Sequence, residues 1–135
     1  MRKQIDRIKL GFMLSMVPTL VRRAARRQTP QRARLYELLG EAPFVFQVRT
    51  HDGAAGWFEL RDGALQFHRG VHVRPDFSQT WRSASDAVKV LASRDESAML
   101  RSLEDGSCRL GGRFAVALWF NEAMKLARPG QFDRH

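Results

Sequence analysis

The sequence predicts an α+β protein in which one largely antiparallel sheet of five strands is covered on one face by helices. Three observations predict this class. Apolar residues recur at helical spacing in the first forty positions, alternate with period two between Phe44 and Trp81, and return to helical spacing after Arg82. A length of 135 residues, of which 44% are hydrophobic, suits one domain with its own core.

The first forty residues are predicted to form two helices. The first spans residues 3–22, and Pro18 is expected to kink or end it because proline lacks a backbone N–H and clashes with the preceding turn. The second spans residues 30–39, between Thr29 as its N-cap and Gly40 as its stop. The apolar face of the first helix comprises Ile5, Ile8, Phe12, Met16 and Leu20.

Four strands are predicted in the middle of the chain. They cover residues 44–49, 56–61, 64–68 and 77–82, and in each of them apolar side chains alternate with polar ones. The dipeptide Asp62-Gly63 separates the second strand from the third and predicts a tight hairpin. Because the connections are short, the strands are expected to follow one another as an antiparallel meander.

Two short helices and a fifth strand are predicted next. The helices cover residues 84–92 and 94–104, and they begin at Ser83 and Ser93, each of which precedes an acidic residue by three positions. The strand covers residues 107–110 and leads through a Gly-Gly pair into the last helix.

The last helix is apolar on almost every side. A helix of this kind must bury a second face, here against a ligand, a membrane or another subunit, or else lie entirely within the core with no cavity beside it. Its large apolar residues are Phe114, Val116, Leu118, Trp119, Phe120, Met124 and Leu126.

The net charge of +9 is concentrated at the N-terminus. Residues 1–40 contain ten Lys or Arg and two acidic residues, whereas residues 41–135 contain thirteen and twelve. We therefore expect a basic amphipathic helical arm at 1–41, a nearly neutral domain at 42–128 and a tail at 129–135.

The chain is expected to be cytoplasmic, with peripheral attachment to the inner face of the membrane. The apolar run at residues 10–21 is too short to span a bilayer, which takes about 20 residues. A single cysteine, Cys108, excludes an internal disulfide and suits a reducing compartment.

No group of residues predicts catalysis. His68 and His72 are placed at a strand end and in a loop, and Cys108 is placed in a strand, where a small buried hydrophobic side chain is usual. Gly111-Gly112 lacks the longer glycine-rich loop and the lysine of a phosphate-binding motif. We expect a protein without enzymatic activity, cofactor or metal.

Three features, in the order in which they occur along the chain, resemble those of a known family. They are the strands joined at Asp62-Gly63, the segment TWRSASDAVKVLASRD and the segment EDGSCRLGGRFAVALWF. From Phe44 to about Ala127 their order and spacing resemble the type-two sterol carrier protein family of lipid-binding domains. With a basic, apolar helix in front, the layout is also similar to accessory lipid-binding factors of bacterial ubiquinone biosynthesis.

The resemblance implies a non-catalytic domain with a tunnel between the sheet and the last helix. The tunnel would hold an acyl lipid, a prenyl lipid or a sterol-like molecule, and a charge at Phe114 or Leu118 is expected to abolish binding. Its expected wall comprises Phe58, Phe77, Trp81, Met99, Leu103, Phe114, Leu118, Trp119 and Met124. The expected membrane-docking residues of the arm are Phe12, Arg22, Arg23, Arg26 and Arg27.

Two other functions remain open at this point. In one, the cavity is closed, and the arm and the last helix bind a protein partner or a second copy of the chain. In the other, the arginines of residues 22–34 contact nucleic-acid phosphates without base specificity. The apolar run at residues 10–21 argues against a purely electrostatic arm.

Overall fold

A computed structural model describes residues 2–93, 95 and 97–127, with side chains in the first helix from Gln4 onward. Its helices and strands confirm the α+β class. They are α1 (Arg2–Arg26), α2 (Gln31–Leu39), β1 (Phe44–Thr50), β2 (Ala55–Arg61), β3 (Ala64–Arg69), β4 (Phe77–Trp81), α3 (Ala84–Leu91), α4 (Ser97–Glu104), β5 (Cys108–Gly112) and α5 (Phe114–Ala127).

The five strands form one sheet in the order β3-β2-β1-β4-β5. The predicted meander is wrong at one point, because β4 lies beside β1 and runs parallel to it instead of pairing with β3. The β3–β4 connection carries the chain across the sheet and is held there by β1. The Gln47 side chain accepts a hydrogen bond from the His72 N–H (2.7 Å), and the Asp76 carboxylate accepts one from the Val45 N–H (2.7 Å).

A row of four phenylalanines crosses the inner face of the sheet. Phe46 on β1 is paired with Phe58 on β2 and with Phe77 on β4, and Phe58 is paired with Phe67 on β3. Side chains on one face of adjacent strands lie close enough to pack, so the period-two pattern of the sequence becomes a continuous apolar surface. This surface is the floor of the core.

Helix α1 passes through Pro18 and ends at Arg26, so of the two expectations for Pro18, a kink or an end, the end is wrong. Packing explains the continuation. Leu14, before the proline, and Val21, after it, are both buried in the core, and their burial outweighs the hydrogen bond that the proline removes. Farther toward the N-terminus, the Arg69 guanidinium lies against Gly11, where a Cβ would come within 2.7 Å of it.

Asp52, in the β1–β2 turn, connects α1 and α3 to the sheet. Its backbone carbonyl accepts a hydrogen bond from Arg7 Nη1 (2.9 Å), and its carboxylate accepts the Ala84 N–H at the start of α3 (3.2 Å). Burial raises the pKa of this carboxyl, but the hydrogen bonds from the Thr50 hydroxyl and the Ala84 N–H outweigh that effect and keep the pKa below its usual value.

The predicted turns and caps are mostly confirmed. Asp62 (φ 53°) and Gly63 (φ 76°) both take the left-handed conformation that a tight hairpin requires. Ser83 caps α3 by accepting the Asp86 N–H. At α2, Pro30 and not Thr29 occupies the N-cap position.

Some expectations fall on residues that are not described. The acidic partner of Ser93 is Glu96, which lies outside the described residues, as does the expected tail at 129–135. In the described part of this region, the Asp95 carboxylate accepts the Ser97 N–H at the start of α4. No helix among the described residues is long and apolar enough to cross a membrane.

Candidate functional site

The space between the sheet and α5 contains a cluster of aromatic rings centred on Phe120. Ring centroids lie 4.4 Å from Phe46, 5.0 Å from Phe58, 5.2 Å from Trp119 and 5.8 Å from Phe44. The helix presents Phe120 because it shares a face with Val116 and Met124, four residues away on either side. This is the place where the tunnel was expected, and aromatic side chains occupy it.

An open groove lies beside this cluster, between the α2–β1 connection and the first half of α5. Its volume is about 460 Å³. Apolar side chains form its lining, and the charged groups of Glu41 and Arg113 are exposed at its margin. The residues that line it are Glu41, Ala42, Phe44, Arg113, Ala115, Val116 and Trp119.

Two interactions hold α5 against α2. Trp119 Nε1 donates a buried hydrogen bond to the Leu38 carbonyl (2.7 Å). Arg34 makes a bidentate ion pair with Glu122, with Nε–Oε2 at 2.5 Å and Nη2–Oε1 at 2.7 Å. The hydrogen bond from Arg34 lowers the pKa of the Glu122 carboxyl, so the pair stays charged at neutral pH.

The nine expected wall residues fall into three groups. Phe58, Phe77, Trp81 and Trp119 are buried in the core, and Met99 and Met124 are half-buried against it. The exposed group consists of Leu103, Phe114 and Leu118.

Leu118 lies on the outer side of α5, so a charge at this position is no longer expected to abolish ligand binding. The side chain is 68% exposed, so a charged replacement lies in water and leaves the interior unchanged. Phe114 is also exposed, although its ring meets that of Phe77 with centroids 5.4 Å apart. Because α5 is apolar all round, the sequence alone does not say which side faces the sheet.

The outer face of α1 carries most of the expected docking residues. Phe12 is 62% exposed, and Ile5 and Ile8, at helical spacing before it, are exposed to a similar extent. Arg22, Arg23 and Arg26 are exposed, whereas Arg27 is half-buried. The opposite face of the same helix buries Leu10, Leu14, Val21, Ala24 and Ala25 in the core.

Cys108 on β5 and His68 on β3 lie on the two opposite edge strands of the sheet. Burial raises the pKa of the Cys108 thiol to about 12, so it is protonated at neutral pH. His68 and His72 flank Trp57 on the outer face of the sheet, with ring centroids 4.1 and 4.6 Å away. No group of three metal-ligating side chains occurs in the part of the chain that the structure describes.

The order of the elements and the mixed sheet define a sterol carrier protein-like fold. The chain is similar to a solved structure described as the UbiJ-SCP2 ubiquinone synthesis protein, with a TM-score of 0.62 and 15% identity over 90% of this chain and 96% of that one. It is also similar to the apo form of sterol carrier protein 2 from Yarrowia lipolytica, with a TM-score of 0.50 and 16% identity over 89% and 95%. No protein-family model and no curated protein matches the sequence.

Proposed function

We propose that the protein is a non-catalytic carrier that binds a hydrophobic molecule between its sheet and α5. The observation that carries the proposal is the cluster of aromatic rings around Phe120, which lies under a helix fastened to α2 by one buried hydrogen bond and one half-exposed ion pair. The likeness of the fold to structures named for sterol carrier protein and ubiquinone synthesis supports it. The ligand would be an acyl lipid, a prenyl lipid or a sterol-like molecule.

The energetics suit reversible carriage. Burying ~300 Å² of a lipid at ~25 cal/mol/Å² contributes about 7 kcal/mol before the costs of association. The aromatic rings around Phe120 must also move to admit a chain, which lowers the net affinity further. Micromolar binding or weaker is the expected outcome, and it allows the ligand to be released again.

We further propose that the wall of the site is formed by the expected residues that face inward or lie half-buried. These are Phe58, Phe77, Trp81, Met99, Trp119 and Met124, to which Phe44, Phe46 and Phe120 are added from the ring contacts. Leu103, Phe114 and Leu118 lie outside this space and are assigned to the protein surface.

Membrane docking is proposed for the outer face of α1. Ile5, Ile8 and Phe12 would enter the headgroup region of an anionic bilayer, and Arg23 and Arg26 would meet its phosphates. Each basic residue near such a surface contributes about 1 kcal/mol. In this account α1 stays packed on its own domain while it docks, since its other face belongs to the core.

One observation favours a second candidate, an interaction subunit. Phe114 and Leu118 expose apolar side chains on the outer side of α5, where a protein partner or a second copy of the chain could cover them. In that case no hydrophobic ligand is bound.

A fluorescence titration separates the two functions. Cis-parinaric acid, a fatty acid that fluoresces in apolar surroundings, is expected to saturate the protein at one molecule per chain with micromolar or weaker affinity. Short-chain butyrate at the same concentration is expected not to compete. Absence of saturable binding by the folded protein would contradict the carrier function and favour the interaction subunit.

A further inference from the structure

A thin aromatic wall separates the groove beside α5 from the apolar interior. On the groove side the wall consists of Phe44 and Trp119, whose rings meet edge to face with centroids 4.9 Å apart. On the other side both rings contact Phe120, which does not line the groove and belongs to the inner cluster. Displacing one or two side chains therefore connects the groove with the interior.

The wall is held by interactions that can break without disturbing the sheet. Trp119 is fixed by its hydrogen bond to the Leu38 carbonyl. The neighbouring ion pair between Arg34 and Glu122 is bidentate, but both side chains are about two-fifths exposed, so solvent screens the attraction between them. Both interactions join α5 to α2, so opening the groove requires no change in the strand pairing.

We propose that this groove is the entrance of the ligand site and that Trp119 is its gate. The inference rests on the proposed carrier function and adds the route by which the ligand enters. The lining of Ala42, Ala115 and Val116 is apolar, so a hydrophobic molecule can pass along it. Its volume of about 460 Å³ lies within the range for small-molecule sites, about 300–1,000 Å³, so the groove can admit such a molecule.

A substitution that affects only the gate changes the rates of ligand entry and exit by the same factor. The dissociation constant, which is the ratio of the two rates, then stays unchanged. Stopped-flow mixing with cis-parinaric acid measures the entry rate, and displacement by excess palmitate measures the exit rate. Arg34→Ala removes the ion pair beside the gate and is expected to raise both rates about twofold to fivefold. Ala115→Trp fills the groove and is expected to lower both rates severalfold.

Each variant has a matched control away from the groove. Arg101→Ala removes another exposed arginine ion pair, the one with Asp95 at α4. Ala33→Trp adds the same bulk at an exposed position of α2 that does not line the groove. Both controls are expected to leave the two rates unchanged.

The possible results show whether the proposed entrance, the carrier function or both are wrong. If the protein binds the fatty acid but Arg34→Ala and Ala115→Trp leave both rates unchanged, the groove is not the entrance and the carrier function survives. If the variants change one rate more than the other, so that the dissociation constant also changes, the groove is part of the binding site itself and the gate is wrong. No binding of cis-parinaric acid by the unmodified protein overturns both proposals.

Discussion

Phe12→Ala is expected to weaken binding to phosphatidylglycerol vesicles about tenfold or more while leaving the fold intact. The side chain is exposed on the outer face of α1 beside Ile8, and burying a phenylalanine in an apolar medium contributes about 1.5–3 kcal/mol. Surface substitutions of this kind usually change the free energy of unfolding by about 0.5 kcal/mol or less. Vesicle flotation measures the binding, and denaturant unfolding measures the stability.

Leu14→Ala, two residues further along the same helix, is expected to lower the stability of the fold and to leave vesicle binding unchanged. Leu14 is 7% exposed in the core, and replacing a buried leucine with alanine lowers the free energy of unfolding by about 2–5 kcal/mol. The fraction that remains folded is expected to float with the vesicles as the unmodified protein does. Equal destabilisation by the two substitutions would contradict the assignment of the two faces, and unchanged flotation of Phe12→Ala would contradict docking.

Met124→Glu is expected to lower the affinity for cis-parinaric acid about tenfold to a hundredfold. Met124 is half-buried against the core on the inner side of α5, one turn after Phe120. A carboxylate at this position must be desolvated or protonated when an apolar chain lies beside it. Burying an unpaired neutral polar group costs about 1–3 kcal/mol in proteins, and burying a charge costs more. The fluorescence titration gives the affinity, and near-ultraviolet circular dichroism checks the packing.

Leu118→Glu is the matched control on the same helix. Its side chain points to solvent, so the affinity is expected to stay within the error of the titration. If Met124→Glu proves too unstable to purify, Met124→Gln introduces a polar group without the charge and is expected to show a smaller loss in the same direction. Loss of affinity in Leu118→Glu but not at Met124 would show that the ligand binds on the outer side of α5.

The sequence predicted well what depends on local periodicity. The strands of the hairpin, the Asp62-Gly63 turn and the Ser83 cap all follow from residues close together in the chain. The inner phenylalanines of the sheet follow from the period-two alternation, because neighbouring residues of a strand point to opposite faces.

Two features of the fold depend on packing between distant segments of the chain and could not be predicted from local periodicity. The parallel pairing of β4 with β1 is fixed by contacts such as the one between Gln47 and the His72 N–H, and the short β3–β4 connection gave no sign of a crossover. Helix α1 passes Pro18 because Val21, Ala24 and Ala25, which follow the proline, are buried against the rest of the chain.

The candidate site was predicted in outline and not in detail. Both α1 and α5 have apolar residues on two faces, and periodicity does not say which face meets the sheet. On α1, Phe12 faces outward while Leu10 and Leu14 are buried; on α5, Leu118 faces outward while Phe120 reaches the sheet. The four-residue spacing of Val116, Phe120 and Met124 is matched by that of Phe114 and Leu118, so spacing alone fits either face of α5.

Native mass spectrometry of the freshly purified protein, followed by organic extraction and lipid analysis, tests the carrier function most directly. The account predicts one hydrophobic molecule per chain, which the extract identifies as an acyl lipid, a prenyl lipid or a sterol-like molecule. A spectrum that shows only the ligand-free chain, together with no uptake when acyl lipids and prenylquinones are offered, would contradict it. The exposed face of α5 would then be the surface to examine for a protein partner.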